Sequence, residues 1–208
     1  MVNAVKIAEI LKKEYPEPVT ELVHTNEYEL AVAVMLSAQT TDKKVNQVTP
    51  ALFKKYPNWK SLALAKVEDV QGLIKQVNFY KGKGERLVKA AQFVLDNFDG
   101  KLPQQLEELI RIPGIARKTA NVILNEVWNI AQGIVVDTHV TRVSQRLGLT
   151  KNKEPVKIEK DLMQVFPKGS WRNISGALVL LGRYICIARK PKCDKCVLKE
   201  VCPSAYKV

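Results

Sequence analysis

Four cysteines gather near the C-terminus, Cys186, Cys193, Cys196 and Cys202, in the spacing C-x6-C-x2-C-x5-C. No stretch approaches the roughly 20 apolar residues of a membrane span. The N-terminus reads as an amphipathic helix rather than a signal peptide. A cytosolic location is therefore expected, and in that reducing compartment clustered cysteines point to metal binding more than to disulfides. Four thiolates this close can bind Zn²⁺ or a cubane iron–sulfur cluster. Most zinc modules use two two-cysteine knuckles, and here only Cys193 and Cys196 form a short pair, which favours the cluster. Arg183, Arg189, Lys190, Lys192, Lys195 and Lys199 surround the cysteines. A small metal-held loop that displays such side chains suits phosphate binding.

The rest of the chain reads as helices. The spacing of Val5, Ile7, Ile10 and Leu11 predicts one over 3–14, closed by Pro16 and Pro18. A nearly continuous apolar run predicts a buried helix over 27–38, and Thr41 or Asp42 caps the next, over 43–56. Two short helical turns follow within 62–77, then an amphipathic helix over 85–98. Further helices are expected over 106–111, 117–128, 138–147, 156–165 and 171–184. No segment alternates with period 2, so the fold class is all-α. The 208 residues permit one large domain or two small ones. The 33 Lys and Arg against 21 Asp and Glu give a net charge of +12, which favours a polyanionic partner, most simply nucleic acid.

One stretch concentrates chemistry. Pro113-Gly114-Ile115-Ala116 forms a turn between two helices, and the second helix opens with Arg117 and Lys118. Its free N–H groups and the positive end of its dipole make an anion site that positions a DNA phosphate without reading bases. A positive charge on Lys118 sits unfavourably beside that dipole and beside Arg117, which helps make a neutral amine available as a nucleophile. A phosphate-binding lysine is equally compatible with this position. Asp137 follows an apolar approach, Ile134-Val135-Val136, and precedes a helix. It reads either as a cap or as a carboxylate that stabilises a cation on a sugar or handles protons for Lys118. His139 reads as a packing or phosphate-contact residue rather than a catalyst. On the same helix, Val140, Val143 and Leu147 face inward, and Arg142 and Arg146 outward. Gln39 lies on a loop between two helices, where it either bonds nearby backbone or fills a gap in a base stack. Phe79 and Tyr80 are followed by Lys81, Gly82, Lys83 and Gly84. That mixture suits a surface that wedges between bases while lysines hold phosphates, and equally a core cover followed by a glycine turn.

Taken together, several motifs resemble the endonuclease III family of DNA glycosylase/AP lyases, within the helix–hairpin–helix superfamily. They are Leu36-Ser37-Ala38-Gln39-Thr40-Thr41-Asp42, Phe79-Tyr80-Lys81, Ile112 through Asn121, Val136-Asp137-Thr138-His139 and the cysteine spacing. The resemblance spans nearly the whole chain. It implies two all-α lobes with a DNA-binding cleft between them. One is a six-helix domain over 21–131 that contains the helix–hairpin–helix. The other joins 1–20 to 132–208 and carries a [4Fe–4S] cluster on Cys186, Cys193, Cys196 and Cys202. It implies Lys118 as nucleophile, Asp137 as its carboxylate partner, Gln39 filling the hole left by a flipped base, and Phe79 at the wedge position. Tyr80, Lys81, Gly114, Ala116, Arg117, His139 and Arg142 complete the expected DNA contacts. The implied function is base excision repair: removal of oxidised pyrimidines from duplex DNA and β-elimination at the abasic site, by a monomer at the nucleoid with no membrane partner.

The chain departs from the family pattern at three places. Ala116 stands where the hairpin usually has a second glycine, and a positive φ there would cost on the order of 1 kcal/mol. Phe79 replaces a more usual leucine. The connection from Lys118 to Asp137 looks one residue longer than usual, around 128–133. The rival within the superfamily is an adenine-specific mismatch glycosylase, which shares the cysteine spacing but normally lacks a lysine at position 118 and carries a further C-terminal domain. A rival of another class is a non-catalytic DNA-binding module on the same scaffold.

Overall fold

The computed structural model describes residues 3–207; Met1, Val2 and Val208, which the two-lobe division assigns to the second lobe, lie outside them. The described residues form α-helices joined by turns and three short 3-10 segments, with no strand among them. The helices are α1 (Ala4–Glu14), α2 (Glu27–Ser37), α3 (Asp42–Lys55), α4 (Trp59–Ala63), α5 (Val67–Leu73), α6 (Tyr80–Phe98), α7 (Leu106–Leu109), α8 (Arg117–Trp128), α9 (Thr138–Arg146), α10 (Pro155–Val165) and α11 (Trp171–Tyr184). They divide into two compact units. One is Thr20–Asn129, and the other holds the described residues of Met1–Val19 and Ile130–Val208.

Local chemistry sets many boundaries. The Asn3 side chain accepts from Lys6 N–H at 3.0 Å and starts α1. Asn26 does the same for α2, and Thr41, rather than Asp42, caps α3. Asn58 and Ser61 form a reciprocal capping box on α4. Asn129 ends α8 in the left-handed conformation that asparagine tolerates.

In the continuous unit, α2 is apolar on all sides and is the central element, with α3, α6 and α8 packed around it. α4 and α5 pack on α6. α6 begins at Tyr80, five residues before the start expected from its apolar pattern at Glu85. Gly82 and Gly84 are helical and do not form the turn that their presence suggested. A Cβ at position 84 would lie 2.6 Å from Gln71 Cγ, so the missing side chain lets α5 approach α6.

The second unit is built from two distant stretches of chain. Ile7 and Leu11 of α1 join Val140, Val143, Leu162, Ile174, Leu178 and Leu181 in one core. Leu198, from the cysteine-bearing segment, is fully buried in the same core. α11 touches both α1 and α9. Its Gly182 permits the close approach, since a Cβ there would lie 2.8 Å from His139 Cβ.

Candidate active site

In the continuous unit, the turn between α7 and α8 is fixed by Ile112 and Ile115, both buried, and by the Ile115 N–H bond to Ile112 O at 3.0 Å. Gly114 has φ +87°, and a Cβ would lie 2.8 Å from Met35 Cε. Glycine takes this left-handed angle without strain and spares Met35 from moving. Ala116 has φ −86° and ψ 167°, an extended conformation open to any residue, so the strain considered for a left-handed alanine does not arise. No side chain caps α8 at Ala116, which leaves the positive end of the helix dipole for an anion. Arg117 and Lys118 are exposed on that first turn. A cavity of about 420 Å³ lies beside the hairpin, lined by Met35, Leu36, Ala38, Lys83, Arg86 and the hairpin residues.

The same unit brings Gln39 and Phe79 together. Both are exposed, and both have left-handed backbones, with φ 55° and 58°. Asn78 Nδ2 donates to Gln39 O at 2.6 Å, which joins the two loops. Tyr80 is half-buried and Lys81 exposed at the start of α6. Lys83 is a buried cation beside these loops that pattern reading missed. It is buried, yet its ammonium donates to Leu36 O at 2.8 Å, Ala38 O at 2.6 Å and Thr40 Oγ at 3.0 Å. Burial, with Arg86 nearby, pulls it down to about 8, so it remains charged at neutral pH. Its register with the buried Leu87, Ala90 and Val94 was the available signal.

In the other unit, Asp137 is half-buried and caps α9, its Oδ1 accepting from Val140 N–H at 2.8 Å. Ser175 Oγ accepts from Val135 N–H at 3.0 Å and fixes the extended approach to Asp137. His139 is half-buried, with Nδ1 3.3 Å from an Arg142 nitrogen. Arg142 and Arg146 do not point outward as the helical pattern suggested. Arg142 donates to Cys186 O at 3.0 Å and Gly182 O at 2.6 Å. Arg146 donates to Ile187 O at 2.8 Å and Ala188 O at 2.9 Å, and lies 3.4 Å from Cys186 Sγ. The carbonyls that end α11 and enter the cysteine segment need donors, and α9 supplies them.

Cys186, Cys193, Cys196 and Cys202 all line one small cavity and form no disulfide. Burial pushes the Cys196 and Cys202 thiols up, and the neighbouring sulfurs add to the rise. Holding these two sulfurs as thiolates therefore calls for a cation beside them. Tyr206 N–H points at Cys193 Sγ at 3.5 Å, a donor that suits a thiolate. No group of three or more His, Cys, Asp or Glu side chains among the described residues is arranged around a single ion. Four cysteine side chains lining one cavity are the donor set that a [4Fe–4S] cluster takes. Arg189, Lys190, Lys192, Lys195 and Lys199 are exposed around it.

Comparison with known proteins agrees with these features. Residues 32–168 match the HhH-GPD superfamily base excision DNA repair protein family, and residues 186–202 match the iron–sulfur binding domain of endonuclease III. The chain is 46% identical to endonuclease III of Synechocystis sp., across 98% of this chain and 93% of that protein. It is 40% identical to endonuclease III of Bacillus subtilis, across 93% and 88%. A solved structure of a trapped endonuclease III–DNA covalent intermediate superposes with a TM-score of 0.91 at 36% identity, covering 100% of this chain and 99% of that one. A thermostable thymine-DNA glycosylase at 19% identity shares the fold, with a TM-score of 0.87. By sequence along almost its full length, by fold and by its cysteine segment, the chain belongs to the endonuclease III family, the base excision DNA glycosylases with abasic-site lyase activity that carry a [4Fe–4S] cluster.

Proposed function

We propose that Lys118 is the nucleophile and Asp137 its carboxylate partner in the removal of oxidised pyrimidines from duplex DNA. The damaged nucleotide leaves the stack, at little cost where stacking is already poor. The Lys118 amine attacks the sugar C1′ through its lone pair and the base departs with the bonding electrons. Loss of the amine proton and opening of the sugar leave a Schiff base, and β-elimination then breaks the strand 3′ to the lesion. Asp137 stabilises positive charge on the sugar and accepts protons from the amine. The α9 N-terminus holds that carboxylate in place through Val140 N–H. Gln39 fills the hole behind the departed base and Phe79 wedges the stack, with Tyr80, Lys81, Arg117 and His139 beside the DNA and the Gly114–Ala116 backbone on a phosphate.

The observation that carries this reading is the exposed Lys118 on the uncapped first turn of α8, directly after the hairpin. A covalent endonuclease III–DNA intermediate in a structural relative supports a nucleophile in this family. Cys186, Cys193, Cys196 and Cys202 hold the cluster, which orders a basic loop and takes no part in bond cleavage. The protein acts as a monomer at the nucleoid on this reading. Borohydride treatment of the protein with a duplex bearing an abasic site or an oxidised pyrimidine tests the mechanism. A covalent adduct is expected in the parent and absent in Lys118→Ala. Intact binding with no adduct in the parent would instead establish a non-catalytic DNA-binding module.

A further inference from the structure

Two exposed residues of the continuous unit, Gln39 and Phe79, stand 40 positions apart on backbones that side chains rarely adopt. Their strained conformations persist only where neighbours over-determine them. The Asn78 side chain spans from one loop to the other, its Nδ2 on Gln39 O at 2.6 Å. Four residues beyond Phe79, Lys83 reaches back to the same loop and grips it on both sides of Gln39, at Ala38 O and Thr40 Oγ, as well as at Leu36 O near the end of α2. A cation is favoured at that helix end by its dipole. Lys83 N–H also bonds Phe79 O at 3.1 Å, so one residue bonds both loops. Gln71 Nε2 also holds the first turn of α6, at Lys81 O, 2.9 Å. No atom of Asn78 or Lys83 needs to touch DNA for these bonds to matter.

We propose that Asn78 and Lys83 are positioning residues that lock the Gln39 and Phe79 loops into one two-pronged wedge, so that the two side chains enter the duplex together. The proposal rests on the insertion roles assigned above to Gln39 and Phe79. The benefit is pre-organisation: loops already in their DNA-bound shape do not have to be ordered while the base is being extruded.

The test is a mutant cycle on the full holoenzyme, with three readouts. These are single-turnover excision from a duplex carrying an oxidised pyrimidine, the fluorescence of an analogue base beside the lesion, and β-elimination on a single-stranded abasic oligonucleotide, which needs no base extrusion. Asn78→Ala, which loses one hydrogen bond between the loops, is expected to slow duplex excision and the fluorescence rise about tenfold, and Lys83→Met, which loses three, by more than that. Single-strand elimination should be unchanged. Gln39→Ala and Phe79→Ala should be coupled in the parent and independent in the Asn78→Ala background. Asn78 is exposed, so its variant carries the test even where Lys83→Met fails to fold. If Gln39→Ala and Phe79→Ala slow duplex excision but act independently in the parent, the linked wedge is wrong while the insertion roles stand. If neither substitution slows duplex excision, the insertion roles themselves fall, and the proposal with them.

Discussion

Single backbone angles decide much of what the hairpin can do. Gly114 combines φ +87° with a side chain of Met35 where its Cβ would go. Gly114→Ala should therefore lower stability by roughly 1–2 kcal/mol from conformation alone, with repacking of Met35 in addition. Weaker binding to an abasic duplex should accompany the lowered urea midpoint. Ala116 sits at φ −86°, where alanine is at ease. Restoring the family's second glycine by Ala116→Gly should thus cost up to about 1 kcal/mol through the unfolded chain and gain no DNA affinity. A urea titration and a binding isotherm on the same preparation check both variants. Sequence alone identified residue 116 as the anomaly but could not supply its φ, because the angle depends on how the turn packs. Gln39 and Phe79 were readable as exposed candidates, whereas the bond between their loops was not, since it joins residues 39 apart in sequence through a backbone carbonyl. Lys83 was hidden for a related reason: a lysine amid apolar residues reads as solvated until acceptors are found around its ammonium.

Among the elements, long periodic helices were the most legible. α2, α8 and α11 end within a residue of where their apolar patterns place them, because burial of a whole face and a clear stop set their limits. α6 was misjudged at its start because glycine normally signals a turn, and only the close α5 contact explains a helical Gly84. The cysteine segment was legible as a metal loop from spacing, but its attachment was not. Arg142 and Arg146 were assigned to solvent by helical periodicity, which ranks positions by hydrophobicity and ignores the carbonyls a neighbouring helix leaves without donors. The segment's apolar anchor, Leu198, is fully buried. Leu198→Ala should destabilise the protein by roughly 2–5 kcal/mol. Iron and labile sulfide, both expected in the parent, should fall together in this variant. Stoichiometric zinc in the native parent would overturn the cluster assignment.

At the scale of the whole molecule, a net charge of +12 makes DNA affinity strongly dependent on salt. Lys195 and Lys199 are exposed on the cysteine-bearing segment. Replacing each with glutamine should reduce the slope of log affinity against log salt by about 0.9 for every phosphate left without its cation. The slope is read from binding isotherms at several salt concentrations. A flat response would place the loop away from phosphates. The discontinuous unit has one more consequence, which concerns the order in which the ribosome releases the chain. α1 emerges first, yet its Ile7 and Leu11 have no core to enter until α9, α10 and α11 have been made. The unit spanning Thr20–Asn129 is complete well before then and has its own packed interior. Vectorial synthesis therefore finishes the hairpin-bearing unit first and leaves an amphipathic helix waiting, so that iron–sulfur assembly is a late event that joins α1 to the core of the cysteine-bearing segment.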